Sequence, residues 1–137
     1  MPVTEISTAA QNAHANGVVD LLDAGSGPGT LKIYDGTLPG PNAAADGTLL
    51  VTITLDDPAF GNAVSGVATC ADLDPTNWAA DGTADYWRGC DSDGNVVMQG
   101  DCSLTAGTAS LKLSSLAAVT GSPVDVTAWT YTAPSGE

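Results

Sequence analysis

Thr30-Leu-Lys-Ile-Tyr34 and Thr48-Leu-Leu-Val-Thr-Ile-Thr-Leu55 form the stretch that decides the fold, and a loop rich in Gly, Pro and Ala separates them. Alternate residues of an extended chain point to opposite sides. In the longer run, one side carries Leu49, Val51, Ile53 and Leu55, and the other carries Thr48, Leu50, Thr52 and Thr54. This alternation predicts a central strand that buries the side carrying Leu49.

Length and composition favour one β-rich domain over residues 1–137. A chain of 137 residues is long enough to bury about two-thirds of its unfolded surface. It contains 16 Gly and 8 Pro, which is typical of a fold with many turns rather than of a helical bundle.

The charge balance is strongly acidic, with 16 Asp and Glu against only Lys32, Arg88 and Lys112, for a net charge of −13. Binding to nucleic acid requires Lys and Arg to displace counterions from phosphate, so we expect no DNA or RNA partner. Binding to an anionic membrane is disfavoured for the same reason, so we expect no membrane partner. Two interpretations remain open: the charge serves solubility alone, or it faces a basic partner.

The residues that bind metals are too few and too scattered for a metal or cofactor site. Cys70, Cys90 and Cys102 have no CxxC spacing, and the single histidine, His14, lies far from them in the sequence. We therefore expect buried, reduced thiols, although Cys90 and Cys102 are also placed to approach each other across a hairpin. His14 is expected to be a solvated residue on the surface of a helix.

The start of the chain lacks the features of a secretory signal, because Glu5 occupies the region where basic residues are expected and no apolar run follows. No run reaches the roughly 18 apolar residues that span a membrane. These features predict a protein made in soluble form inside the cell.

Residues 7–24 are predicted to form the one helix. Thr8 and Gln11 have the spacing of a capping box, and Gly25 is a typical helix stop. Small or apolar residues recur with helical spacing and predict the face that packs on the sheet. They are Ile6, Ala10, Ala13, Gly17, Leu21 and Ala24, flanked by Val18 and Leu22.

Short β patterns follow to residue 132, and residues 133–137 form a polar tail. Thr83–Cys90 and Asn95–Gly100 predict a hairpin around Asp91-Ser-Asp-Gly94. Further strands are predicted over Val64–Cys70, Thr108–Leu116 and Val124–Thr132. In the last of these, Val124, Val126 and Ala128 share the face opposite Asp125, Thr127, Trp129 and Tyr131. The predicted fold is mainly β: an antiparallel β-sandwich or jelly-roll-like barrel over residues 30–132, with one N-terminal α-helix.

No catalytic constellation is evident, and we expect that the protein is not an enzyme. One histidine on a surface helix excludes a Ser/His/Asp triad. Acidic pairs such as Asp56/Asp57 and Asp72/Asp74 resemble a glycosidase pair by inventory alone. They lie in Pro- and Gly-rich turns, where Asp side chains accept hydrogen bonds from backbone N–H groups.

Several short motifs along the chain carry a resemblance to a known family. They are Leu31-Lys-Ile-Tyr-Asp-Gly-Thr37 followed by Pro39, Gly47-Thr-Leu-Leu-Val-Thr-Ile-Thr-Leu55, Pro58-Ala-Phe60, Gly66-Val-Ala68, Tyr86-Trp-Arg88 and Asp91-Ser-Asp-Gly-Asn95. With the preceding helix, residues 7–132 resemble a family of small β-rich virion structural proteins of tailed bacteriophages. The motifs are structural rather than catalytic, and no functional residue is carried over from them. Cys90 and the acidic Cys70–Asp85 loop depart from the pattern.

The resemblance implies a virion subunit present in many copies, of the capsid decoration (cement) type, made in the host cytoplasm. Its partner would be the major capsid protein, and a homotrimer would place it at capsid junctions; neck and tail positions remain open. The candidate interface residues are Ile6, Trp78, Trp129 and Tyr131, with Trp78 either an interface anchor or a cap on the core. The alternative is a module that binds host glycans, with Trp78, Tyr86 and Trp129 stacking on sugars.

Overall fold

The computed structural model describes residues 4–71 and 73–134. Within them, helix α1 (Thr8–Asp20) continues as a 3-10 turn, Leu21–Asp23. The strands are β1 (Thr30–Tyr34), β2 (Leu49–Thr54), β3 (Val67–Thr69), β4 (Gly82–Thr83), β5 (Tyr86–Cys90), β6 (Val96–Leu104), β7 (Leu111–Leu113), β8 (Ala117–Ala118) and β9 (Val126–Thr132). The prediction of a mainly β, sandwich-like fold with one N-terminal helix is confirmed.

Seven strands form one sheet in the order β2-β1-β5-β6-β7-β9-β3, while β4 and β8 form a separate ribbon. The prediction that β2 is a central strand is wrong, because β2 lies at the edge of the sheet and, among the described strands, pairs with β1 alone. The long strand β6 joins two halves of the sheet, because residues 96–101 pair with β5 and residues 102–104 pair with β7. Trp87 of β5 and Trp129 of β9 meet edge to face, with ring centroids 5.2 Å apart, so the two halves pack on each other.

One pair departs from the antiparallel expectation, since β6 and β7 run parallel from Cys102↔Leu111 to Leu104↔Leu113. Parallel neighbours usually require a long crossover. Here only three residues pair, a length of about 10 Å, so the short connection 105–110 can return to the start of the pair.

In β2 the predicted alternation is confirmed at Val51, Ile53 and Leu55, which are buried. It is wrong at Leu49 and Leu50: Leu49 is 41% exposed, whereas Leu50 is buried. The cause is a β-bulge, because Ile33 pairs with Val51 while Tyr34 pairs with Leu49, which leaves Leu50 as the extra residue. The bulge reverses which side of the strand faces the core.

β9 also contains a bulge, and the predicted division of its side chains between two faces is therefore wrong. Lys112 pairs with Ala128 and Leu113 pairs with Val126, so Thr127 is the extra residue. The buried side chains of Leu111 and Leu113 therefore share a face with Trp129 and Val126, which the sequence had placed on opposite faces.

The helix has the predicted extent but a different cap and a different buried face. The side chain of Ser7, not Thr8, accepts a hydrogen bond from the N–H of Ala10 at 3.1 Å. Gln11 donates from its side-chain amide to the carbonyl of Ile6 instead of completing a capping box. The buried positions are Ala15, Val19 and Leu22, while Ala10, Ala13, Gly17 and Leu21 of the predicted stripe are exposed.

The predicted hairpin is confirmed between β5 and β6. Gly94 has a φ of 87°, and the Oδ1 atom of Asp91 accepts hydrogen bonds from the N–H groups of Asp93 and Asn95 at 3.0 and 2.9 Å. At the end of the chain, Ala133 is buried and donates its N–H to the carbonyl of Gly66. The remainder of the predicted tail, residues 135–137, lies outside the described residues.

Candidate functional site

Two of the four predicted interface residues are buried within the chain itself. Trp78 is 4% exposed and Trp129 is 1% exposed. Trp78 is held by backbone hydrogen bonds to Ser122 and Gly121. Trp129 contacts Phe60 and Trp87 edge to face. The prediction of these two residues as interface anchors is therefore wrong, and Trp78 is the cap on the core.

Ile6 and Tyr131 are half-buried and lie beside α1. The Tyr131 hydroxyl is 3.0 Å from Nε2 of His14, and the two rings are parallel with centroids 6.1 Å apart. The carbonyl of Ile6 accepts a hydrogen bond from Gln11. The four predicted residues thus do not form one surface, and an interface role for Ile6 and Tyr131 stays a prediction.

The three aromatic residues proposed to stack on sugars are all in the core. Trp78, Tyr86 and Trp129 are buried, and the Tyr86 hydroxyl is bound to the backbone of Asp46. A sugar-binding platform requires exposed ring faces. These three residues do not provide one.

Some of the acidic side chains accept hydrogen bonds in turns. Oδ1 of Asp81 accepts hydrogen bonds from the N–H of Thr120 at 2.7 Å and from its hydroxyl at 2.9 Å, which lowers the pKa of Asp81. Asp91 has a lowered pKa because of its hydrogen bond to the N–H of Asn95, among others. Asp56, Asp57 and Asp74 are exposed, and Asp72 lies outside the described residues.

In the described part of the chain, the cysteines form no disulfide and the carboxylates form no cluster that could hold a metal ion. None of Cys70, Cys90 and Cys102, which all lie in that part, is in a disulfide. Cys90 pairs with Val96 and Cys102 pairs with Leu111, so the predicted approach of these two thiols across the hairpin is wrong. Burial raises the pKa of Cys90 and that of Cys102, the latter to about 12, which disfavours the nucleophilic thiolate. The described residues contain no group of three or more His, Cys, Asp or Glu that could hold a metal ion.

Arg88 is a buried cation that fastens the loop between β1 and β2 onto the outer face of the sheet. It is 5% exposed, and its NH2 group donates to the carbonyls of Gly40 and Ala43 at 3.3 and 2.8 Å. Its Nε donates to the side chain of Gln99, which in turn donates to the carbonyl of Pro39. The guanidinium therefore serves the fold and is not available to a partner.

The basic side chains are buried or half-buried, and most of the exposed charged side chains are therefore acidic. All three basic residues are in the described ranges; Lys32 and Lys112 are half-buried and Arg88 is buried. In residues 4–71 and 73–134 the exposed acids are Glu5, Asp20, Asp46, Asp56, Asp57, Asp74, Asp81, Asp85, Asp93, Asp101 and Asp125. The composition predicts the net charge, but only the fold decides that the basic side chains are buried or half-buried while most acidic ones are exposed.

A groove of about 550 Å³ lies between β2, the start of β9 and the chain after β3. Its apolar lining includes Ile53, Leu73, Pro75, Val124 and Val126. Among the described residues, its charged lining residues are both acids, Asp74 and Asp125. The sequence analysis did not predict this groove. The pattern that could have indicated it is the run Val124-Asp-Val126, in which an acid lies between two apolar residues. In the structure both valines are only partly buried.

No protein-family model, curated protein or solved structure matches the chain. In the residues that the structure describes, no helix has both the length and the apolar character needed to cross a membrane.

Proposed function

We propose that this chain is a non-enzymatic structural subunit that docks on a basic protein surface of a larger particle, as a capsid decoration (cement) subunit does. The observation that carries the proposal is the anionic exterior, which results from exposed acids and from three cations that are buried or half-buried. A single-sign surface attracts a partner of the opposite sign and repels nucleic acid and anionic membranes.

The chemistry of the side chains supports a structural role. The thiols of Cys90 and Cys102 have pKa values raised by burial, and Asp81 and Asp91 accept hydrogen bonds in turns. Arg88, the one fully buried cation, secures a loop. A sandwich whose two halves share β6 makes a compact unit suited to repeated binding at equivalent positions of a particle.

The proposed partner is the major capsid protein, and the proposed state is a homotrimer. A trimer with three-fold symmetry would present three equal contacts at once. Multivalent contact raises avidity without any single strong contact, which suits a subunit that holds capsid junctions together.

Cryo-electron microscopy of the purified particle that carries this chain tests the proposal. We expect density for the subunit on the outer surface of the head, at junctions between capsid proteins, and release of the subunit as salt screens the charges. Density confined to the tail tube, the neck or the head interior would contradict the decoration role. Light scattering of the isolated protein tests the trimer.

A further inference from the structure

The edge of the large sheet at β2 has backbone groups that point to solvent. Leu55 donates its N–H to the carbonyl of Gly29 at 3.0 Å, and Leu31 pairs with Ile53. Because the direction of the hydrogen bonds alternates along an antiparallel pair, the N–H and C=O groups of Thr52 and Thr54 point away from β1. Both residues are exposed, and the described residues supply no backbone partner for them on that side.

The same edge is protected only further along the strand. The backbone carbonyl of Leu50 also points away from β1, and it accepts a hydrogen bond from the N–H of Ala79 at 2.8 Å. Proteins usually cover a sheet edge or protect it with charge, because an open edge pairs with other strands. Here the cover ends before Thr52.

The groove lies next to this open stretch of β2. Ile53, between the two Thr residues, lines the groove, as do Leu73 and Val126. A strand added to β2 would point alternate side chains to the same face as Ile53, and therefore into the groove. Apolar side chains fit this lining.

The charge of the groove indicates which extended segment fits. Its charged lining residues, Asp74 and Asp125, are exposed, and no Lys or Arg is among the lining residues. Within the described residues, neither carboxylate accepts a hydrogen bond. A second copy of this chain fits this groove poorly, because its basic side chains are buried or half-buried and it would bring mainly further acids to Asp74 and Asp125.

We propose that the Thr52–Thr54 edge and the adjacent groove bind an extended segment of a basic partner protein, which adds to β2 as a further strand. Its alternate apolar side chains enter the groove, and Lys or Arg residues that flank the paired segment lie against Asp74 and Asp125. Strand addition supplies affinity through the backbone, and the pockets supply specificity. This inference rests on the proposed function, since it names the part of a basic partner that the chain recognises.

A first experiment uses a short acetylated and amidated peptide of alternating valine and threonine, with lysines at both ends, as the probe, and the isotope-labelled full chain is observed by NMR. We expect slower hydrogen exchange of the Thr52 and Thr54 amides and shifts at Leu73 and Val126. Backbone N-methylation of the peptide should abolish these effects, since it blocks pairing but keeps the charge. Equal binding of the methylated peptide, or shifts spread over the acidic surface, would overturn strand addition.

A second experiment uses variants with matched controls. Of the backbone hydrogen-bonding groups, Thr52→Pro removes one N–H, which points away from β1, and proline is tolerated at such edge positions. Thr52→Val is the matched control, because it keeps this N–H. We expect the peptide to bind at least about tenfold more weakly to Thr52→Pro than to Thr52→Val. Asp125→Lys should weaken binding by about fivefold or more at low salt, whereas Asp93→Lys, which makes the same charge change away from the groove, should not. If the two Lys variants weaken binding equally, the peptide responds to the overall charge of the protein and not to the groove, and the proposal is overturned.

Binding to the intact particle separates the failure of this inference from the failure of the proposed function. If Thr52→Pro and Asp125→Lys bind the particle as tightly as the unchanged protein, the groove is not the docking site, while the structural role stands. If the unchanged protein binds the peptide at the β2 edge but does not bind the particle, the groove stands and the decoration role fails. Self-association that Thr52→Pro abolishes would identify a second copy as the occupant and overturn the basic partner.

Discussion

At the scale of single residues, two glycines differ in the space that a side chain would have: Gly17 has room for one and Gly29 does not. Gly17 is exposed in the middle of α1, and a Cβ atom added there would meet nothing within 4 Å. The expectation that Gly17 lies in the face packed on the sheet is therefore wrong. Gly29 lies where a Cβ atom would collide with the carbonyl oxygens of Cys90 and Leu22.

We expect Gly17→Ala to raise the free energy of unfolding by about 0.5–1 kcal/mol, because alanine loses less backbone entropy than glycine in a helix. Urea unfolding followed by circular dichroism measures the change. Gly29→Ala is the control and should lower the free energy of unfolding. A Gly17→Ala protein less stable than the unchanged chain would show that the helix makes a contact at this position.

Asp81 makes stability depend on pH through its hydrogen bonds to Thr120, which lower its pKa below the ordinary value of 3.8. A carboxyl group with a lowered folded pKa contributes stability fully above its unfolded pKa and loses it as pH falls through the folded pKa. We expect Asp81→Asn to lower the melting temperature at pH 7 and to make little difference well below pH 3.8. The exposed Asp93→Asn is the matched control, and a deficit of Asp81→Asn that persists in acid would contradict the charge-assisted bond.

At the scale of elements, polar side chains attach α1 and the 3-10 turn after it to the chain that leads into β3. The side-chain oxygens of Asn12, Asn16 and Asp23 accept hydrogen bonds from the N–H groups of Gly66, Ala63 and Ala59 at 2.7, 2.7 and 2.9 Å. Burial is the main cause that raises the pKa of Asp23 in this contact. These three bonds run along the helix and set which of its faces is buried, although its hydrophobic pattern favoured another.

We expect Asn16→Ala to lower the free energy of unfolding by about 1–2 kcal/mol, because the half-buried N–H of Ala63 loses its acceptor. Asn16→Asp keeps an oxygen acceptor and should lose much less. Chemical denaturation gives the change in stability, and hydrogen exchange at Ala63 localises it. If the two substitutions are equally destabilising, then packing, and not the hydrogen bond, attaches the helix.

At the scale of the whole molecule, the exposed acids repel one another. The net charge is −13, and the cations that would compensate the acids are buried or half-buried. Self-repulsion of this kind destabilises the compact state. The Debye length falls from about 30 Å at 0.01 M salt to about 8 Å at 0.15 M, so physiological salt screens most of the repulsion.

We therefore expect the melting temperature to rise as sodium chloride increases over this range of about 0.01 to 0.15 M. Differential scanning calorimetry at pH 7 measures it, and potassium chloride should give the same rise if screening is the cause. A melting temperature that falls with salt would indicate that attractive charge pairs dominate instead.

The sequence predicted the strands more reliably than it predicted their faces. Alternation of Thr with apolar residues located β2, because that period is a local property of an extended chain. The bulge at Leu50 arises from pairing with β1, and the bulge at Thr127 arises from pairing with β7. A bulge changes the inward face of a strand without leaving a mark in the local pattern, and this is why Leu49 and Trp129 were misplaced.

The sequence by itself determined the mainly β class, the extent of the helix, the Asp91–Gly94 hairpin and the strongly acidic charge, since these follow from local periodicity, turn chemistry and composition. Only the tertiary structure decided that Trp78 and Trp129 are buried, that Arg88 is withdrawn from the surface, and that a groove borders an open edge at Thr52–Thr54. The physical reason is that burial and edge exposure depend on which distant segments meet. Here that depends on β6, which pairs with β5 in its first part and with β7 in its last part.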